Sequence, residues 1–313
     1  MSQMKTKLFF GSIFLALFFL TCEKIEDPFP RELGQSIFLN NIEYIVDQSL
    51  DVGTTNELNN FIDNSTWTSI SASDNSETRF VLLEEFTGHK CTFCPRGTRE
   101  IVRLDGELGD TLIPVGIHAG GFALPDIGAS SYFTDFRVEG GHGETYNNLF
   151  QVSSYPSGVV SRLGNATGSD QWSIDINSLK NDKPKVALQM TNSYALIGQK
   201  PVVRSNIAIT WSETLPEDYN LQMYLLEDHI LDWQLDLGTD KPDYDHRHVL
   251  RKVINDTFGK ALEDAIIGET ETIEYIFEFD PAWKANDIEV VAFIFKNDDT
   301  DKEVIQANAS YIK

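Results

Sequence analysis

The hydrophobic pattern is sharpest at a short run, Phe80-Val81-Leu82-Leu83-Glu84-Glu85-Phe86. Its length and near-continuous apolar character predict a strand buried on both faces. Apolar residues then recur at Ile101, Leu104 and Leu108, a helical spacing over Thr98 to Leu108, with Gly109 as the stop. Pro95 suits the first turn of that helix, where its missing N–H leaves no bond unmade. A second apolar run, Leu112 to Ile117, ends at His118. Strand, helix and strand in this order predict a right-handed parallel crossover. A Gly- and aromatic-rich section, Ala119 to Ser154, leads to Tyr155-Pro156-Ser157-Gly158-Val159-Val160-Ser161, a proline feeding a strand.

From residue 184 the period changes to two. Val186 to Tyr194, Val202 to Trp211, Leu221 to Leu226, Ile273 to Phe279, Ile288 to Phe295 and Val304 to Ile312 carry β-branched or aromatic alternation. Polar turns such as Asn297 to Asp301 separate several of them. This predicts an antiparallel, immunoglobulin-like β-sandwich over 184–313, with Val249 to Leu262 as an inserted helix. Residues 22–77 are rich in Asn, Asp, Ser and Thr and alternate only weakly, over Ser36 to Val46 and Thr66 to Ser71. They read as a tether with a few short strands.

The chain start is an export signal over 1–21. Lys5 and Lys7 precede the almost wholly apolar stretch Leu8 to Leu20, the length of a signal core and short for a bilayer span. Phe19-Leu20-Thr21-Cys22 resembles a bacterial lipobox, although Phe19 and Thr21 depart from its commonest residues. Cys22 is then the expected lipid-attachment residue. The following Glu23-Lys24-Ile25-Glu26-Asp27 resembles the Lys-plus-acidic signals of surface-exposed Bacteroidetes lipoproteins. It is equally a solvated tether, and the two readings are compatible. Cleavage before Cys22 removes two lysines and no acid, taking the formal charge from −23 to −25. Such a chain repels nucleic acid and anionic lipid. Membrane attachment therefore rests on the lipid at Cys22.

The remaining two cysteines form Cys91-Thr92-Phe93-Cys94-Pro95, at the predicted strand-to-helix junction. Two thiols at this spacing close a small disulfide, and the helix N-terminus favours a thiolate on the first. His89 and Lys90 are placed to lower the Cys91 pKa further. A disulfide closing so small a loop removes little unfolded-state entropy. Redox activity is thus expected ahead of a pure staple. A zinc site would need His89, His118 or His142 to complete it. A copper carrier needs fewer ligands and stays open, as does a metal between His246 and His248. The acidic run at 297–301 lacks the Gly and terminal Glu of a calcium loop. The redox reading requires no metal and no cofactor.

The segment 78–183 resembles a thioredoxin fold. The resemblance rests on the strand running into Cys91-X-X-Cys94-Pro95, on Tyr155-Pro156, and on Glu85 six residues before Cys91. It implies a catalytic set of Cys91, Cys94, Glu85 and Pro156. Cys91 would be the exposed attacking thiolate and Cys94 the resolving thiol. Glu85 would be a buried proton relay beneath Cys94, and Pro156 a cis-proline facing the thiols. Lys90 before the first cysteine and Thr92-Phe93 between the pair depart from thioredoxin. The whole chain resembles the Omp28-like outer membrane lipoproteins of Bacteroidetes. Its marks are Glu84-Glu85-Phe86-Thr87-Gly88, the Tyr155 to Val160 run with Arg162 close behind, and Tyr244-Asp245-His246-Arg247-His248-Val249-Leu250-Arg251. That implies a lipid-anchored outer membrane protein on the cell surface or periplasmic face. Its partners would be envelope or secreted proteins with thiols or disulfides. Two functions remain: a thiol–disulfide oxidoreductase, or a binding or adhesion lipoprotein using the fold as a scaffold.

Overall fold

The computed structural model describes residues 34–313; Cys22 and the signal segment lie outside the described residues. The architecture is mixed α/β and mostly strand. The first predicted run forms β4 (Val81–Thr87), all seven residues of which are buried. The helix follows as Cys94–Leu108, and the second run is β5 (Leu112–His118), parallel to β4. After Tyr155-Pro156, β6 (Ser157–Val160) returns antiparallel to β4. Alternation along β4 explains its continuous burial. Val81 and Leu83 pack against Ile101 and Leu104 of that helix and against Trp172 and Ile176 of a later one, Ser169–Leu179. Leu82 and Phe86 point to the opposite face, among Tyr146, Tyr224 and Phe293.

Two segments before β4 also form strands. β1 (Gln35–Leu39) pairs with β2 (Ile42–Val46), and β3 (Thr68–Ser71) follows the first helix, α1 (Thr55–Asp63). The Cys94–Leu108 helix is therefore α2; α3 spans His142–Leu149 and α4 spans Ser169–Leu179. The later strands are β7 (Val186–Ile197), β8 (Lys200–Trp211), β9 (Tyr219–Glu227), β10 (Ile230–Asp236), β11 (Thr239–His246), β12 (Val249–Val253), β13 (Lys260–Ala261), β14 (Thr270–Glu278), β15 (Ile288–Lys296) and β16 (Val304–Tyr311).

The short strands expected at Ser36 to Val46 and Thr66 to Ser71 form, but as part of the fold and not as a tether. β2 pairs parallel with β14 and β3 antiparallel with β7, giving a six-stranded sheet in the order β1-β2-β14-β8-β7-β3. These flanking strands are short and solvated on one side, which weakens their sequence signal. The second sheet runs β16-β15-β9-β12-β5-β4-β6, with β13 alongside β9. The sandwich core lies between the two sheets, where Ile207, Ile209 and Tyr275 meet Leu221, Met223 and Val290.

The expected separation into a domain ending at 183 and another starting at 184 is also corrected. β12 joins β5 through the parallel pair Val249↔Gly116, and Gly116 N–H donates to the His248 carbonyl at 2.7 Å. A Cβ at Gly116 would sit 3.2 Å from the Arg247 carbonyl oxygen, so a residue without one suits this close approach. The sheet continues across the proposed boundary, and the described residues belong to one compact unit. The expected helix over 249–262 is instead β12 and β13, both paired with β9. A register shift between Leu250 and Lys252 breaks the period-two pattern there.

A buried ion pair ties β4 and the exit of β6 to β9 and β15 within the second sheet. Arg162 donates to Glu84 (Nε 2.8 Å, Nη2 2.9 Å) and to the Tyr224 hydroxyl (2.7 Å). Both charged side chains are fully buried. The guanidinium also lies 4.7 Å from the Phe293 ring centroid and 4.9 Å from that of Phe295. The residue before Glu85 is therefore held from β6's exit, β9 and β15 at once.

Candidate disulfide site and its cover

Cys91 and Cys94 form a disulfide at the start of α2. The turn is built by Cys91 N–H donating to the Gly88 carbonyl (2.9 Å) and Cys94 N–H to the Cys91 carbonyl (3.2 Å). Phe93 is the N-cap residue and supplies no side-chain acceptor. The positive end of the α2 dipole lies beside the sulfurs.

Glu85 lies beneath that turn. It is 3% exposed, and its Oε1 has no hydrogen-bond partner among the described residues. Burial raises its pKa to about 8, so the carboxyl is largely protonated at neutral pH. Gly97, one turn past Cys94, makes room for it: a Cβ there would collide with Glu85 Oε1 and lie 3.0 Å from Pro156 Cβ and 3.1 Å from Trp172. Glu85, Pro156 and Trp172 therefore converge on one side of α2. The Tyr155–Pro156 bond is cis, the geometry expected at that position.

Three expectations about the site change. Cys91 was expected at an exposed helix end, yet it is 3% exposed and Cys94 1%. Lys90 does not face the thiols as a free cation, because its Nζ is paired with Asp126 at 2.8 Å. Burial lowers the His89 pKa, so its ring is neutral and adds no charge; its Nε2 lies 3.3 Å from the Leu124 carbonyl. His118 and His246 pack against Phe136 with tilted rings, their centroids 5.0 and 4.8 Å from it. Burial likewise pushes His118 well below its ordinary value and His246 to about 4. Among the described residues, no cluster of three or more His, Cys, Asp or Glu is placed to hold a metal ion.

The cover over the cysteines is the β10–β11 hairpin. Leu235 N–H donates to the His89 carbonyl (2.8 Å) and Leu237 N–H to the Thr92 carbonyl (3.0 Å). Gln234 Nε2 donates to the Cys91 carbonyl (3.1 Å), and Gly238 N–H to Thr92 Oγ1 (2.8 Å). Asp236 pairs with Arg99 of α2 at 3.3 Å. Sequence reasoning missed this hairpin. Its turn has Leu237 at φ 48° and Gly238 at φ 80°, the two left-handed positions of a two-residue hairpin loop. Leu-Gly is a weaker signal for that turn than Asn-Gly or Asp-Gly, and the flanking strands are largely exposed.

Residues 143–313, more than half of the chain, match the family described as "Outer membrane protein Omp28". This chain belongs to the Omp28 family. Membership locates it to the outer membrane, and among the described residues no helix is long and apolar enough to cross a membrane. The Omp28 match takes in Pro156, Arg162 and the β10–β11 hairpin and begins after the cysteine pair. HBP35 of Porphyromonas gingivalis is similar in fold: TM-score 0.56 and 18% identity over 76% of each chain. A domain of the outer membrane lipoprotein Omp28 from the same organism has 19% identity and TM-score 0.29, covering 42% of this chain and 89% of its own. A protein of Agrobacterium tumefaciens has 9% identity and TM-score 0.44, covering 74% of this chain and 94% of its own. No curated protein matches the sequence.

Proposed function

We propose that this Omp28-family protein is a lipoprotein anchored through Cys22, and that Cys91–Cys94 is a thioredoxin-type site exchanging disulfides with envelope proteins. The observation that supports this best is Glu85: a protonated, unpartnered carboxyl buried beneath the first turn of the cysteine-bearing helix. Perturbed acids of this kind cluster at reaction sites. A pure staple has no use for it.

In the exchange, a partner thiolate attacks Cys91 Sγ. The Cys91–Cys94 bond breaks, a mixed disulfide forms, and Cys94 leaves as a thiolate that takes the Glu85 proton. A second thiolate of the partner attacks the partner's own sulfur in the mixed disulfide. The partner's disulfide forms and Cys91 leaves as a thiolate, so two electrons have passed from the partner to the pair. From the dithiol form the same steps run in reverse. Pro156 borders Gly97 of the cysteine-bearing helix.

The burial of both sulfurs favours the second reading, a binding or adhesion lipoprotein with a structural disulfide. Trapping separates the two. The Cys94→Ser protein should accumulate reducible, high-mass mixed disulfides with envelope proteins, and Cys91→Ser should not. Absence of trapped partners from either variant, under oxidising and reducing growth alike, overturns the oxidoreductase.

A further inference from the structure

We infer that the β10–β11 hairpin is a displaceable cover whose first strand stands in for substrate, and that the partner enters as an extended, unfolded polypeptide segment. This rests on the oxidoreductase reading. Leu235, in β10, and Leu237, the first residue of the turn that follows it, donate to the His89 and Thr92 carbonyls. Alternate N–H groups along one edge are how an extended strand docks on a neighbouring backbone. A cysteine-bearing segment lying in this position would offer the same donors and bring its sulfur to Cys91. With the hairpin seated, Cys91 is too covered for a protein thiol to reach its Sγ.

The hairpin is built to leave without disturbing the sheets. Among the described residues its two strands pair only with each other. A two-stranded ribbon is marginally stable by itself, and within it only Gln234 and His246 are buried. It is held by ring contacts near its base, His246 with Phe136 and His118 and Trp233 with Tyr132, and by polar contacts of Tyr132 with Asp240, Thr134 with Asp232, and Arg99 with Asp236. Both legs are fixed at one point. His229 and His248, at φ 54° and 51°, each donate their backbone N–H to Asp228 Oδ1 at 3.1 Å. Asp228 is 1% exposed and also accepts from Arg247. Lifting the hairpin about this base leaves β9 and β12 paired.

The border of the covered groove selects the segment's chemistry. Phe93, Phe122, Leu124 and Leu237 are 51%, 48%, 45% and 63% exposed. Phe122 is tied to the cysteine loop by Lys90 N–H donating to its carbonyl at 3.0 Å. Exposed apolar side chains ringing a strand-docking edge suit unfolded chains, whose apolar residues are still in water.

The cover is tested on the full mature protein without any natural partner. Tris(2-carboxyethyl)phosphine attacks one sulfur of the disulfide and, with water, yields two thiols and the phosphine oxide. Removing the Gln234 amide should loosen the cover and speed this reduction about tenfold in Gln234→Ala. Arg99→Ala, which removes only an exposed pair, should speed it about twofold. It keeps the test decisive if Gln234→Ala fails to fold. Equal rates in wild type and the folded variants overturn the cover.

Substrate entry is tested with an unstructured, apolar peptide whose single cysteine is capped as the thionitrobenzoate disulfide. Reaction with reduced Cys94→Ser protein forms the Cys91–peptide disulfide and releases thionitrobenzoate. In that adduct the Leu235 and Leu237 amides should lose hydrogen-exchange protection while His229 and His248 keep theirs. Retained protection at Leu235 and Leu237, or no adduct at all, overturns the strand exchange. The oxidoreductase reading fails separately, on the absence of trapped envelope partners.

Discussion

Replacing Glu85 by Gln removes a titrating proton while keeping the side chain's shape. Burial moves this carboxyl from 4.5 to about 8. At about 1.4 kcal/mol per pKa unit, the shift corresponds to on the order of 5 kcal/mol. The sign follows from the direction. Between these two values the native state holds a proton that the unfolded chain has lost, so the stabilisation is complete below pH 4.5 and is lost as pH rises through 8. Glu85→Gln has no such loss. The wild type and variant should be similar in stability near pH 5 and diverge by several kcal/mol, in the variant's favour, at pH 9. Denaturant titrations of the oxidised proteins at intervals from pH 5 to 9 read this directly, with tryptophan fluorescence as the signal. Trp172 is well placed, since it borders the same space beside Gly97. All other titrating groups are common to both proteins, so the difference between the curves isolates position 85. Parallel curves across the range would refute the buried, protonated carboxyl and with it the proton relay.

Arg162→Leu strands the Glu84 carboxylate in the core and should cost about 3–5 kcal/mol, while the Glu84→Leu, Arg162→Leu double variant should recover a substantial part; a single-variant loss under about 1 kcal/mol contradicts the interlock, measured by the same titrations. For the anchor, labelled palmitate should enter the wild type and not Cys22→Ala. Equal labelling of both would remove the lipid attachment.

The local elements around the disulfide were legible because their signals are local. The run Phe80 to Phe86 and the 3.6-residue spacing of Ile101, Leu104 and Leu108 each report burial along one short element. The burial of Glu85 was an expectation from the thioredoxin resemblance, and in β4 the residue is buried. The exposure of Cys91 was misjudged because the residues that cover it, Gln234 to Gly238, lie more than 140 positions later. That the short strands before β4 join the six-stranded sheet, and that 249–262 is not helical, were missed for related reasons. β2 exists as a strand through pairing with β14, with β1 added on β2, β3 through pairing with β7, and β12 through pairing with β9 on either side of a register shift.

By itself the sequence determined where chain segments must hide an apolar face, and that two thiols sit where a buried strand gives way to a helix. Both are matters of side-chain period and spacing, set within a few residues. Tertiary structure decided which strands share a sheet, that β5 and β12 fuse the cysteine-bearing strands to the sandwich, and that a hairpin closes over the disulfide. Backbone hydrogen bonds between segments carry no residue-specific signature. They are chosen by which edges remain unpaired once the whole chain has collapsed.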